Sequence, residues 1–261
     1  MITNSQKTQL IGDSLRVSPL SHQDDNDGDE RSDYRGLALV ALVVVIPLTY
    51  WIDPYLIPMG FTDVWSSHGK GFGDWFAVGL PFLACGVGLN IIVQLFGIGS
   101  MTDFGWLGRK YSRWDILKNG MIHSIFTGAV EEIAFRWLIF LGSFASLAIG
   151  NWLIFGWAGF GVVEWFYMNI WGPVADFTTL GNLEPWLFGK GWLFGAAVLH
   201  TNALFRDGHK YQGLLGVLNS WFCGMFLFYV MFTHGLLAAI FLHILYNTLA
   251  YVGKLLYSMS G

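Results

Sequence analysis

The stretch "GAVEEIAFRWLIF", residues 128–140, decides how this chain folds. Without Glu131, Glu132 and Arg136 it reads as part of a membrane-spanning helix; with them, it carries three formal charges within two helical turns. An ionisable side chain at the centre of a spanning helix costs about 2.5–3.5 kcal/mol on insertion scales, so such residues pair, face the bundle interior and mark function. Glu132 and Arg136 are four residues apart with the acid first, the favourable order for an intrahelical ion pair. Glu131 lies about 100° around the helix and has no such partner four residues away.

The flanking sequence supports a membrane setting. Of 261 residues, 54% are hydrophobic, 17% aromatic and only 12% charged; a soluble domain carries about 25% charged residues. So few charges cannot cover a water-soluble surface, and the apolar residues fall in long runs. The expected fold is all-α, a polytopic transmembrane helical bundle of about seven spans, with six or eight as alternatives. Cys85 and Cys223 sit inside apolar runs, which argues against a disulfide framework or a cysteine-based zinc site. The net charge of −4 is local, with "DDNDGDERSD" at 24–33 in a polar tail. The first 35 residues lack a continuous apolar core, so no cleavable signal peptide is expected and the first span would serve as the insertion signal.

Two regions follow: residues 1–35, a disordered acidic cytoplasmic tail, and 36–261, a transmembrane domain. With roughly 20 apolar residues per span, the candidates are 36–52, 75–98, 119–149, 152–171, 190–205, 213–232 and 235–257. The polar loop 99–118 holds Arg109, Lys110, Arg113 and Lys118. Placing the N-terminus inside puts these four, Arg31, Arg35 and Lys190 in the cytoplasm and leaves Lys70, Arg206, Lys210 and Lys254 outside. The positive-inside rule favours that orientation. The expected location is a prokaryotic cytoplasmic membrane, crossed several times.

Further polar residues interrupt the later spans. "GWLFGAAVLHTN" carries His200, and "GLLAAIFLHILYN" carries His243 and Asn247 four residues apart, so that these two project alike. At about 1.5 Å rise per residue, Glu131 sits roughly 18 Å into its span, His200 roughly 15 Å and His243 roughly 12 Å. A carboxylate, two imidazoles and an amide at common depth can converge. Taken singly, each has a plainer role: a histidine hydrogen-bonded for structure, an asparagine joining helices, an ion pair bracing one helix. Glu164 in the fourth span, Asn90 and Gln94 in the second, and His123 and His234 near span ends are read as structural or interfacial, and His209 as a loop residue.

The ordered pattern Glu-Glu-x-x-x-Arg, then a membrane His, then His-x-x-x-Asn resembles the CAAX protease and bacteriocin-processing (CPBP, or Abi) intramembrane proteases, over residues 119–250. The first motif stands as "EEIAFR" and the third as "HILYN". The second departs from the family, which has Phe four residues before its His; here Ala196 holds that place and Phe194 lies six before. The resemblance implies an intramembrane endopeptidase acting on a membrane-associated peptide or protein, with cleavage of prenylated CAAX-type tails the family's best-known activity.

The chemistry also follows from residue types. Amide hydrolysis needs an activated water and donors for the oxyanion. Glu131 suits the general base, His200 a partner orienting the same water, and His243 and Asn247 the oxyanion donors, with Glu132 and Arg136 bracing the helix. No cofactor is favoured. Zinc or another divalent metal held by Glu131, His200 and His243 remains an alternative, since two His and a carboxylate make a catalytic zinc set. The expected partners are that substrate and the lipid bilayer, with no nucleic acid. Two other classes stay open: a non-catalytic scaffold or bacteriocin-immunity protein, and a proton-coupled transporter using Glu131 and Glu164.

Overall fold

The computed structural model describes residues 59–96 and 113–260, all within the second of two units into which the chain divides, Leu42–Gly261. The acidic tail, the expected first span and the basic residues Arg109 and Lys110 lie outside the described residues. Among those described, the secondary structure is entirely helical. In chain order the α-helices are α1 (Phe61–Trp65), α2 (Phe72–Phe96), α3 (Arg113–Glu132), α4 (Phe140–Leu153), α5 (Val162–Phe166), α6 (Gly172–Thr178), α7 (Glu184–Leu187), α8 (Trp192–Asp207), α9 (Gly213–His234) and α10 (Leu236–Ser260). Two π-helical segments join neighbours without a break, Ile133–Ile139 between α3 and α4 and Tyr167–Trp171 between α5 and α6.

Four stretches are long and apolar enough to cross a membrane: Phe72–Leu89, Leu117–Leu153, Lys210–His234 and Leu236–Gly253. They match the expected second, third, sixth and seventh spans and are consistent with an integral membrane protein. The other expectations change. The fourth, 152–171, is broken where Phe155 takes φ 60° and Gly159 and Gly161 also turn positive; a single 3-10 turn, Gly156–Ala158, lies in the break and α-helix resumes at Val162. The fifth is present as α8, but its 16 residues fall short of the roughly 20 that a span uses.

α10 is the shared wall of the bundle, packed on α2, α3 and α9. Its closest neighbour is α3, and Gly128 makes that approach possible. A Cβ there would lie 2.8 Å from Ile244 Cγ1 and 3.1 Å from the Ile244 backbone nitrogen. Small residues that bring helix backbones together are the usual membrane substitute for a hydrophobic driving force. Farther along, Tyr251 packs on Gly120 and on the His123 ring, and five residues before it Tyr246 donates to Asn219 Oδ1, near the start of α9, at 2.8 Å.

These contacts bring Lys118, at the start of α3, and Lys210, between α8 and α9, to the same end of the bundle. The sequence expectation placed them on opposite faces. The alternation fails because the chain between Leu153 and Trp192 is a set of short helices, none among the four spanning stretches. At this end Asp207 meets Lys210 Nζ at 2.9 Å and Arg206 Nη2 at 2.7 Å. Hydrogen bonds from Lys210 and then Arg206 hold its carboxyl below the usual carboxylate range.

Gly128→Leu should force α3 from α10 and cost about 1–3 kcal/mol of overpacking. Gly142→Ala should be neutral, because nothing lies within 4 Å of a Cβ there. Thermal unfolding of the detergent-solubilised protein checks the pair, and equal midpoints would refute the close crossing.

Candidate active site

α3 runs into its π-segment at Glu132 with no Gly or Pro to force the change. The segment buries two consecutive large side chains, Arg136 and Trp137. Hydrogen bonds of the i→i+5 kind widen the helix, and such segments recur at functional sites. Here the wider turn carries the charged residues of the opening stretch into the bundle.

The Glu132 and Arg136 side chains are fully buried, with Oε2 3.3 Å from Nε. The other Glu132 oxygen, Oε1, lies 2.7 Å from His243 Nδ1 on α10. Paired with a guanidinium, the carboxylate is the acceptor, so His243 donates through Nδ1–H. That bond sets the histidine's orientation and leaves Nε2 to face the second acid: Glu131 Oε2 is 3.6 Å away. Two adjacent carboxylates from one helix thus hold one imidazole from another. They differ sharply in surroundings, since the Glu131 side chain is 25% exposed and that of Glu132 is 0%.

The far side of Arg136 is closed by residues that the sequence pattern did not single out. Its Nη2 donates to the Gly224 carbonyl of α9 at 3.3 Å. The Phe205 ring of α8 lies 4.3 Å from the guanidinium carbon and Phe228 lies 5.3 Å away, both within cation–π range. Phe205 also sets its ring edge-on to His243 at 6.1 Å. Asn202, one turn before it and fully buried, donates to the Trp221 carbonyl. A Cβ at Gly224 would collide with the Asn202 amide oxygen. A polar residue at 202 inside an apolar run was a signal available in the sequence, as strong as the one at 200.

The expected residues therefore separate. Glu131, Glu132, Arg136 and His243 come together. Asn247 follows His243 by one turn, is partly buried, and has no hydrogen-bond partner among the described residues. His200 does not join them: it occupies an exposed position on α8, and its Nδ1 lies 3.0 Å from Ser143 Oγ of α4, which also accepts from Thr201. Among the described residues, no group of three His, Cys, Asp or Glu side chains is placed to hold a metal ion, so the set Glu131, His200 and His243 is not assembled.

The residues read as structural have local partners. His123 meets Thr127, and His234 meets Thr233. His209 lies past the end of α8 and donates to the Phe205 carbonyl, Glu164 is exposed in the first turn of α5, and Cys85 and Cys223 are free thiols.

No family model, curated protein or solved structure matches this chain. The CPBP resemblance therefore rests on the three short motifs alone.

Removing one partner from a buried pair costs about 3–5 kcal/mol, because the other charge stays buried. Glu132→Gln should accordingly lower the unfolding midpoint by at least about 6 °C. Glu131→Gln, at a partly exposed side chain, should cost no more than about 1 kcal/mol, a midpoint shift of no more than about 4 °C. The double variant Glu132→Gln/Arg136→Met should recover part of the loss. Equal shifts for the two Gln variants, read by thermal unfolding in detergent, would contradict the assignment of Glu132 as the paired acid.

Proposed function

We propose that this protein is an intramembrane endopeptidase of the CPBP type, hydrolysing a peptide bond of a membrane-associated peptide or protein. The observation that carries this is the clamped imidazole: His243 lies between Glu132, buried and charge-paired, and Glu131, partly exposed. An imidazole whose one nitrogen is held by a carboxylate presents the other in a defined direction, which is the arrangement of a positioned base.

In this scheme a water beside the pair, hydrogen-bonded to both Glu131 and His243 Nε2, attacks the scissile carbonyl carbon. Its proton passes to that pair and then to the leaving amide nitrogen as the C–N bond breaks. Asn247, one turn along the same helix face, donates to the developing oxyanion. Glu132 and Arg136 are positioning residues that act through His243. His200 takes no part in the step, which moves the water-binding role that the sequence suggested for it onto His243.

A second reading draws support from the same geometry. Glu131, His243 and Glu132 make a contiguous chain of titratable groups with one end partly exposed, the arrangement a proton relay needs. A transporter of this kind would show proton-gradient-driven uptake in proteoliposomes that Glu131→Gln abolishes.

The deciding experiment compares membrane peptides from cells carrying wild type, Glu131→Gln and Asn247→Ala, by mass spectrometry. Glu131→Gln should abolish a cleavage product and leave its precursor to accumulate. Loss of one oxyanion donor in Asn247→Ala should slow the same cleavage about 10²–10³-fold at unchanged thermal stability. Identical peptide inventories in all three strains would defeat the endopeptidase proposal.

A further inference from the structure

The chain from Val162 to Leu187 has a use that the site does not absorb. α5, the second π-segment and α6 form one unbroken helix, 162–178, followed by a turn and α7. Contacts fix how the two legs run. Near the start, Tyr167 donates to the Leu187 carbonyl at 2.6 Å, so the first leg and the end of the second meet at a neck. At the far end, Thr178 accepts from Trp221 Nε1 at 3.3 Å. The return leg brings Trp186 back onto Phe232, stacked at 5.3 Å.

Positions along α9 convert these contacts into depth. At about 1.5 Å per residue, Phe232 is roughly 3 Å from the His234 end of α9, and Trp221 is roughly 20 Å from it. The chain therefore enters beside the His234 end, descends some two-thirds of α9, and comes back to that same end before α8 begins. It does not reach the end that holds Lys210.

We infer that residues 162–187 form a re-entrant hairpin that enters and leaves the bilayer through one end of the bundle, with lipid acyl chains against its outer aromatic face. Four observations support lipid as the occupant. Trp165, Phe166, Trp171 and Val174 are exposed along the outer face, while Tyr167, Gly172 and Ala175 are buried against the bundle. Phe177 and Leu180, at the tip, are 80% and 86% exposed at a depth set by Trp221 within a spanning helix. No Lys or Arg occurs between Arg136 and Lys190, so nothing basic draws this segment to an anionic surface. Finally, the turn satisfies its own backbone: Gly181 donates to the Asp176 carbonyl at 3.0 Å and the Thr179 hydroxyl to the Ala175 carbonyl at 3.0 Å. Irregular chain at membrane depth needs such local bonds.

The inference is independent of the protease proposal and is tested by topology. The full chain, with Cys85 and Cys223 changed to Ala, receives single cysteines and is labelled with a membrane-impermeant maleimide in sealed vesicles of each orientation. Phe160→Cys and Lys190→Cys should label from the same side as Lys70→Cys and from the side opposite Lys210→Cys. Phe177→Cys and Leu180→Cys should react at least 10-fold more slowly than Lys190→Cys from either side. Labelling of Phe160→Cys and Lys190→Cys from opposite sides would make the segment a span and overturn the inference. Tip cysteines reacting as fast as Lys190→Cys would put water in place of lipid. Disulfide-linked dimers through Phe177→Cys would make a second copy the occupant, and both results overturn it. In the unsubstituted protein an impermeant amine reagent should modify Lys70 and Lys190 from one side and Lys210 from the other; Lys190 modified together with Lys210 refutes the hairpin.

Discussion

The Glu132 carboxylate has no access to water, and the rest of the bundle is arranged around that fact. A buried charge needs a partner and hydrogen bonds or it is lost to neutralisation. Arg136 supplies the charge from one turn away, and His243 supplies a donor from another helix. The first is local and forms as soon as the helix does. The second joins residues 111 positions apart and can form only if α3 and α10 approach closely, which is what Gly128 against Ile244 allows. Helix crossing and charge satisfaction are thus one constraint: the carboxylate demands the contact and the glycine makes it sterically possible.

Arg136 extends the same constraint to α8 and α9. A guanidinium has five N–H donors in a fixed fork; Nη2 donates to the Gly224 carbonyl, while Nε faces Glu132 Oε2 as an ion pair without a hydrogen bond. Its Nη1 has no hydrogen-bond partner among the described residues. Aromatic faces take up the remainder, with Phe205 and Phe228 offering their quadrupoles where further acceptors would each need satisfying in turn. Because Phe205 touches both the guanidinium and His243, the cation and the imidazole share one wall, and four helices are tied to a single charge pair.

What the sequence made legible was whatever repeats within one helix. Glu132 with Arg136 and His243 with Asn247 are four-residue spacings, and both are found on single helices as the spacing demands. Which of two adjacent acids points inward is not a matter of spacing. Glu131 was the natural choice for the unpartnered, costly acid, yet Glu132 is the one in the interior, because inwardness depends on where α10 and α9 pack. The same gap explains His200. On α8, His200, Thr201 and Asn202 are consecutive, and only neighbours decide that 201 and 202 face the bundle while 200 faces out. Hydropathy likewise cannot distinguish a span from a segment that turns back, since both present apolar residues to lipid, and it counted 152–171 as a crossing. Each crossing counted fixes the side of every later loop, which is how Lys118 and Lys210 fall on opposite faces when 152–171 is counted as a span.

The unequal surroundings of Glu131 and Glu132 bear on what such a site can do in a membrane. Chemistry that consumes water inside a bilayer needs a group that water can reach and a scaffold that water cannot loosen. Two like residues in succession meet both needs, because neighbouring positions on a helix point about 100° apart and can face opposite environments. Glu132 faces the packed interior and fixes the imidazole; Glu131, partly exposed, lies 3.6 Å from that imidazole's other nitrogen. Exchanging the two roles would require turning the helix by a quarter and breaking the Arg136 pair. In the proposed reaction the buried ion pair would thereby leave Glu131 as the acid that reacts, acting through the His243 ring and touching no substrate.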